Sequence, residues 1–217
     1  MTTSRRTHFL RATVSPFFVV LCAFLLLTVG SLSAQNRPDA LVLYRQGQYE
    51  RAVDVTLAEL ADNPRNLDSY TVLGWSLLAL GRYEDALTYG NSGLAVSRFD
   101  HRLVHIVGEA NYQLGNNVEA LQYLQNYAAL APEGTLIDEV YYLMGEIHIR
   151  FEEYHHADIA LTTAVHLDDT RGRWWARLGY AREMAGSPEY ARQAYEAALQ
   201  RNPNLVEARR GLERLDA

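Results

Sequence analysis

The chain has 217 residues, of which 48% are hydrophobic, and its formal net charge at pH 7 is -6. This size and apolar content are enough for one ordinary domain or one array of repeats. All 20 basic residues are arginine, which excludes a phosphate-loop lysine and a Schiff-base lysine.

The first 34 residues have the three zones of an export signal. Arg5, Arg6 and Arg11 form a basic start without acidic neighbours, and residues 17–29 are a run of 13 that is apolar except for Thr28. This run is shorter than the ~20 residues that span a bilayer. We predict a signal peptide over residues 1–34, cleaved after Ala34, and an exported mature protein, most simply in the periplasm. The alternative is an uncleaved segment that anchors the chain in the inner membrane.

Cleavage would also remove Cys22, the single cysteine. The mature chain would then have no disulfide, no thiol nucleophile and no thiolate ligand for a metal. Its formal net charge would change from -6 to -9, because three arginines leave with the signal. No stretch of the mature chain is strongly basic, so nucleic acid is not expected as a partner.

The rest of the chain repeats at a regular interval. Separations of 34, 37 and 34 residues join Gly74, Gly108, Gly145 and Gly179. In the same frame, turn residues recur at Gly47, Gly81, Gly115, Glu152 and Gly186. An interval of this length predicts two helices and a turn per unit.

The last copy, WARLGYAREMAGSPEYARQAYEAALQRNP, has Trp175, Gly179, Ala191 and Pro203 at signature places of the tetratricopeptide repeat, which the chain resembles. The resemblance implies an all-α, right-handed solenoid of about five helix-turn-helix repeats over residues 35–205. A C-terminal capping helix follows over residues 206–217. We assign the units to residues 33–66, with a truncated first helix, 67–100, 101–134, 138–171 and 172–205.

Gly74 lies inside a predicted helix, where glycine costs about 1 kcal/mol relative to alanine. We interpret it as a contact point at which the first helix of the unit approaches the second, at the level of Ala86. On this interpretation leucine at position 74 overpacks the contact, whereas alanine is tolerated. Gly81 is predicted to end the first helix in a left-handed conformation.

His101, His105 and Glu109 lie four residues apart and share one face of a predicted helix. Ligands from one helix leave a metal site incomplete, so we favour a solvated face and keep metal binding as the alternative. His155 and His156 lie at a predicted turn and point in different directions, which is typical of a surface pair. The chain has no nucleophile elbow, zinc-protease helix or phosphate loop. We predict that it is not an enzyme and needs no cofactor.

In the family that the chain resembles, successive first helices form the concave wall of the solenoid. The resemblance implies that a partner protein or peptide binds there, beside the packing glycines. The corresponding residues are Thr71, Trp75, Arg102, His105, Glu109, Tyr112, Tyr142, Glu146, Arg150, Arg173, Arg177 and Tyr180. Tryptophan, tyrosine and arginine are typical interface anchors. The glutamates precede the last arginines along this wall, which predicts a ligand with the opposite order of charges.

We therefore predict an exported protein–protein interaction scaffold of a bacterial cell envelope. It would contact a membrane only through the N-terminal segment, and only if that segment is not cleaved. One alternative is a membrane-anchored adaptor built from the same repeats. Another is a metal-binding or enzyme-accessory protein that uses His101, His105 and Glu109.

Overall fold

The structure is a computed structural model that describes residues 38–217, and their regular secondary structure is entirely α-helical. The predicted export signal lies outside the described residues. Within residues 38–217, no helix combines the length and the apolar content that a membrane crossing requires. Eleven helices follow one another: α1 (Ala40–Arg45), α2 (Tyr49–Asp62), α3 (Leu67–Ala79), α4 (Tyr83–Val96), α5 (His101–Leu114), α6 (Asn117–Leu130), α7 (Ile137–Arg150), α8 (Tyr154–Leu167), α9 (Gly172–Met184), α10 (Pro188–Arg201) and α11 (Val206–Leu215).

Side-chain caps and left-handed residues define where several helices begin and end. At the start of α3, the Asn66 side-chain oxygen accepts hydrogen bonds from the Asp68 and Ser69 amides at 3.2 and 3.3 Å. The turns inside the helix pairs carry positive φ at Gly47, Gly81, Gly115, Glu152 and Gly186. The left-handed conformation predicted for Gly81 is therefore confirmed. In the fourth unit Glu152 adopts it at φ 60°, without the conformational freedom of glycine.

Each predicted unit contains one pair of helices, and the pairs stack in chain order. Every first helix, from α1 through α3, α5 and α7 to α9, contacts the next first helix. Among the described helices, no second helix contacts another second helix. The units therefore lie closer together along the first helices, which form the inner, concave wall. The predicted fold class, a helical repeat solenoid, is confirmed.

Gly74 is closely packed, and the side chain nearest to it belongs to the next unit. The three atoms nearest to a Cβ built at Gly74 all belong to Ile106 of α5, with Cδ1 at 2.7 Å and Cγ2 at 2.8 Å. In other units the second helix fills this space, through Leu124 beside Gly108, Leu161 beside Gly145 and Tyr195 beside Gly179. The equivalent residue of α4 is Gly90, which has no side chain. Ile106 of the following unit takes its place, so the tightest contact at Gly74 is one between units, and Ala86 is buried in the same apolar cluster as Ile106.

The C-terminal helix α11 packs on α9 and α10 and closes the array. Ala208 is fully buried in the same apolar cluster as Tyr195. Gly211 faces the Tyr195 ring so closely that a side chain at this position would overlap it. The Tyr195 hydroxyl donates to the Glu183 carboxylate at 2.5 Å, and Arg214 donates to the same carboxylate at 2.7 Å. Apolar contact and a hydrogen-bonded ion pair therefore hold the cap together.

Candidate partner-binding groove

All the predicted groove residues lie on α3, α5, α7 or α9, which form the inner wall. Most of them are exposed or half-buried: Trp75, Arg102, Glu109, Tyr112, Tyr142, Glu146, Arg150, Arg173, Arg177 and Tyr180. Thr71 and His105 are instead buried. The structure thus presents most, but not all, of the predicted side chains to a ligand.

Thr71 is a correction to the predicted groove. Its side chain is 1% exposed, and its hydroxyl donates to the Leu67 carbonyl at 2.8 Å within α3. This bond to the carbonyl four residues earlier satisfies the hydroxyl inside the helix. Thr71 therefore contributes to the packing of α3 and has no surface to offer a partner.

An open cavity of about 410 Å³ lies between the first helices of successive units. Its lining comes from α1, α3, α5, the start of α7 and the loop before it: Tyr44, Trp75, Leu78, Ala79, His105, Glu109, Thr135, Leu136 and Glu139. The Trp75 and Tyr44 rings are 5.7 Å apart between centroids. The truncated first unit therefore covers part of Trp75, and the rest of the indole faces the cavity.

His105 is buried in the cavity wall without a hydrogen bond. Its side chain is 3% exposed, and neither ring nitrogen has a partner among the described residues. The nearest carboxylate, that of Glu109, is 3.8 Å from Nδ1, which is beyond hydrogen-bond length. Burial lowers the pKa of His105 to about 4, so the imidazole is neutral at pH 7. A buried polar group without a hydrogen-bond partner is costly to folding.

Glu109 has an unusual protonation equilibrium for a glutamate. Burial, followed by the negative charge of Glu139, raises the pKa of Glu109 to about 7. The Glu109 carboxyl is therefore close to half ionised at neutral pH. A cation in the cavity would favour the ionised form, so the occupancy of the cavity and the charge of Glu109 are linked.

The aromatic residues further along the wall are already held by other side chains. The Arg150 guanidinium lies over the Tyr112 ring, 4.0 Å from its centroid, and donates to the Asn117 side chain at 2.8 Å. Tyr142 stacks on Trp174 with ring centroids 4.9 Å apart and planes 12° apart. These rings are ordered before a ligand arrives, which reduces the entropy lost on binding.

Several groove charges are neutralised within the protein. Arg177 pairs with Glu146 at 2.5 Å, and its guanidinium also lies over the Tyr180 ring, 5.3 Å from the centroid. Arg102 pairs with Asp68 and Asp100, both at 2.7 Å. The predicted gradient from acidic to basic is therefore weaker than the sequence suggests. Among the described residues, it rests on the carboxylates of the cavity at one end and on the exposed Arg150 and Arg173 at the other.

Two residues that line the cavity, Tyr44 and Glu139, are not among the predicted groove residues. Tyr44 lies on α1, whose short length obscures its place in the repeat. Glu139 lies in the first turn of α7, just after the three-residue insertion between units. It occupies the same repeat position as Arg102 and Arg173, which are predicted groove residues. That equivalence is the signal that identifies it.

His101, His105 and Glu109 do not form a metal-binding cluster. His101 is exposed, and His105 is buried beside the Tyr127 ring. Among the described residues, a different set brings its possible ligand atoms within 4.8 Å of one another: His148, Glu153 and His156. The metal-binding alternative therefore finds no support at the residues that the sequence suggested.

Two protein-family models match the chain. The model described as tetratricopeptide repeat matches residues 142–206. The model described as anaphase-promoting complex, cyclosome, subunit 3 matches residues 32–90. The first of these matches falls on the last two units and the second on the first two, and each covers less than a third of the chain.

The chain is also similar to two curated proteins. The TPR repeat-containing protein MJ1428 of Methanocaldococcus jannaschii is 23% identical over 160 residues, which are 73% of this chain and 28% of that protein. The BBSome complex member BBS4 homolog of Drosophila melanogaster is 29% identical over 113 residues, which are 48% of this chain and 23% of that protein. The chain thus spans about a quarter of the length of the curated relatives that it matches.

Solved structures with the same fold include MamA (41-end) from Desulfovibrio magneticus RS-1, with a TM-score of 0.67 and 19% identity over 77% of this chain and 93% of that one. TTC0263, a thermophilic TPR protein of Thermus thermophilus, has a TM-score of 0.58 and 22% identity, and the match covers 82% of this chain and 96% of that one. A chain of the APC/C hetero-tetramer Cut9–Hcn1 has a TM-score of 0.69 and 19% identity, and the match covers 81% of this chain and 34% of that one. At these identities the likeness concerns the fold alone.

Proposed function

We propose that this protein is an exported scaffold that holds a segment of a partner protein in its concave groove. A tetratricopeptide-type scaffold for protein–protein interactions is supported by the fold and by both family matches. Two of the similar proteins are named as members of assemblies, the BBSome and the APC/C hetero-tetramer. In this proposal the protein acts through binding, without catalysis and without a cofactor.

The observation that carries the proposal is the cavity with the unpartnered His105. The cavity is on the concave wall, its volume of about 410 Å³ is in the range of ligand pockets, and Trp75 gives it an apolar surface. Neither ring nitrogen of His105, in the wall of this cavity, has a hydrogen-bond partner among the described residues. A groove with an aromatic anchor and a buried unsatisfied polar group is suited to a side chain that inserts from a partner segment.

The chemistry of the cavity favours a cationic side chain as that insert. Glu109 and Glu139 provide two carboxyl groups, and the Tyr44 and Trp75 rings provide faces that attract a cation. The guanidinium of arginine matches both, because it forms paired hydrogen bonds with carboxylates and stacks on aromatic rings. We infer that the partner segment places an arginine, or less favourably a lysine, in the cavity.

Binding of labelled peptides to the full-length protein tests this proposal. We would compare peptides with randomised flanks and a central arginine with matched peptides in which citrulline replaces the arginine. Citrulline has nearly the same shape and no charge. We expect the arginine peptides to bind at least tenfold more tightly, a difference of about 1.4 kcal/mol. The affinity of the arginine peptides should also increase as the pH rises through about 7, because a cationic side chain binds the ionised form of Glu109 more tightly than the protonated form.

Two variants and one control localise the effect. Glu109→Gln should remove most of the preference for arginine, and Trp75→Ala should weaken binding of arginine peptides about tenfold or more. Glu119→Gln makes the same chemical change at an exposed position of α6, and should bind like the wild type. Equal affinity for arginine and citrulline peptides, or an unchanged preference in Glu109→Gln, would contradict the proposed cavity ligand.

The proposed location rests on the sequence of residues 1–34. Export with cleavage after Ala34 should give a mature protein whose first residue is Gln35, measurable by mass spectrometry of envelope material. The second candidate is an adaptor that keeps the same groove but remains anchored in the inner membrane. An intact N-terminus in the membrane fraction would favour that candidate and would leave the groove proposal unaffected.

A further inference from the structure

A compact set of metal-ligating side chains lies at the turn between α7 and α8, away from the cavity residues. His148 is in the last turn of α7, Glu153 directly precedes α8, and His156 is in the first turn of α8. The Glu153 Oε2 atom is 2.7 Å from His148 Nδ1 and 3.9 Å from His156 Nδ1. The two imidazole rings are 5.3 Å apart between centroids. One carboxylate oxygen therefore lies beside two imidazoles.

The backbone holds these three residues in place. The Glu153 amide donates to the His148 carbonyl at 2.9 Å across the turn, and the Ala157 amide donates to the Glu153 carbonyl at 3.0 Å in the first turn of α8. The His148 side chain is only 12% exposed, whereas that of His156 is 68% exposed. One ligand is thus fixed by packing, and another is free to adjust its rotamer.

We propose that His148, Glu153 and His156 bind a divalent transition-metal ion of the zinc type. Zinc bonds to imidazole nitrogen and carboxylate oxygen are about 2.0–2.2 Å long, so neighbouring ligand atoms in a tetrahedral site are roughly 3.3 Å apart. The observed separations of 2.7 and 3.9 Å lie on either side of that value. All three ligand atoms lie within 4.8 Å of one another, so rotation of the exposed His156 and Glu153 side chains brings them to ligand distance, with the metal replacing the present hydrogen bond.

The donor set selects the kind of metal. Two imidazoles and one carboxylate suit zinc, nickel or copper, whereas magnesium and calcium prefer oxygen ligands alone. Three protein ligands also leave a coordination position open for water or for a group from another molecule. The ion would join the end of α7 to the start of α8, so its binding should stabilise the fourth unit.

Calorimetric titration of the full-length protein with zinc chloride, without a histidine tag, tests this site. We expect one zinc ion per chain, no comparable heat with magnesium, and a higher Tm in the presence of zinc. His156→Gln should weaken zinc binding at least tenfold, since even loss of an outer partner of a metal ligand costs about 10–100-fold. It should also remove the zinc-dependent rise in Tm.

The chain provides a matched control in His155, which is exposed, adjacent to His156 and outside the cluster. His155→Gln should bind zinc within about twofold of the wild type, because it keeps all three ligands. A second ligand variant, His148→Gln, should behave like His156→Gln, and circular dichroism without metal should show that both remain helical. Absence of stoichiometric binding in the wild type, or equal weakening in His155→Gln, would overturn the proposal.

Discussion

Replacing Gly74 by alanine should destabilise the solenoid, although the sequence alone predicts that alanine is tolerated. The new Cβ would lie 2.7 Å from Ile106 Cδ1 and 2.8 Å from Ile106 Cγ2. Carbon atoms in favourable contact are about 3.5–4.0 Å apart, so the new Cβ and the Ile106 side chain must move apart by about 1 Å. Ile106 is fully buried, and close packing in a protein core leaves little room for a side chain to move. The methyl group therefore overpacks the contact between the second and third units.

The magnitude follows from two opposing terms. Overpacking of a core costs about 1–3 kcal/mol, and alanine recovers about 1 kcal/mol of helix propensity relative to glycine. We expect a net loss of up to about 2 kcal/mol, or a fall in Tm of up to roughly 8 °C for a chain of this size. Gly108→Ala is the control, because its Cβ would lie 3.2 Å from its nearest neighbours, which need to move by only a few tenths of an ångström, a small cost that the gain in helix propensity offsets. It should be nearly neutral.

The free energy of unfolding of both variants is measured by urea denaturation, with circular dichroism as the signal. A double variant then tests the cause, because Ile106→Val removes the Cδ1 atom nearest to position 74. Ile106→Val alone should cost about 0.5–1.5 kcal/mol. In the double variant, Gly74→Ala should cost less than it does in the wild type, because only the overlap with Cγ2 at 2.8 Å remains. Equal stability of Gly74→Ala and Gly108→Ala, together with additive effects in the double variant, would refute the reasoning.

Three further changes test other features of the structure. Glu152→Gly should stabilise the chain by up to about 1 kcal/mol in urea unfolding, because glycine adopts the left-handed conformation of this position without the steric strain that glutamate has there. An unchanged or lower urea midpoint would contradict this. Glu109→Gln should stabilise the protein by about 1–3 kcal/mol at pH 8 and by much less at pH 4.5. The pKa of Glu109 is raised to about 7 in the folded protein, so ionisation of this carboxyl destabilises the fold as the pH rises from about 4.5 to 7. Glutamine has no charge and avoids that cost. Gly211→Ala should lower stability by about 1–3 kcal/mol and expose α11 to hydrogen exchange, because the methyl group would overlap the Tyr195 ring. Protection of α11 equal to that of the wild type would show that the cap tolerates the change.

The repeat frame was predictable because it depends on local and periodic features of the chain. Gly81 and Gly186 recur in one place of the repeat, and both end a first helix with positive φ. Glu152 was assigned to that place from spacing alone, and it adopts the same conformation. A left-handed turn is determined by a few neighbouring residues, so the period identifies it even where glycine is missing.

The composition of the groove was only partly predictable, since spacing shows which residues occupy equivalent places but not how each place is filled. Thr71 occupies a groove position and is buried, because its hydroxyl is satisfied inside α3. Arg177 occupies another and pairs with Glu146 of the preceding unit. Both outcomes depend on side chains that the repeat pattern does not specify.

The sequence by itself determined the helices, their order and the residues on which the units turn, because these depend on contacts within one helix or one turn. The tertiary structure decided which side chains meet between units. Ile106 fills the space at Gly74 only because Gly90 leaves it empty, and Tyr44 and Glu139 reach one cavity from distant units. Such contacts depend on the distance and rotation between stacked helices, which arise when the whole array packs its apolar faces together.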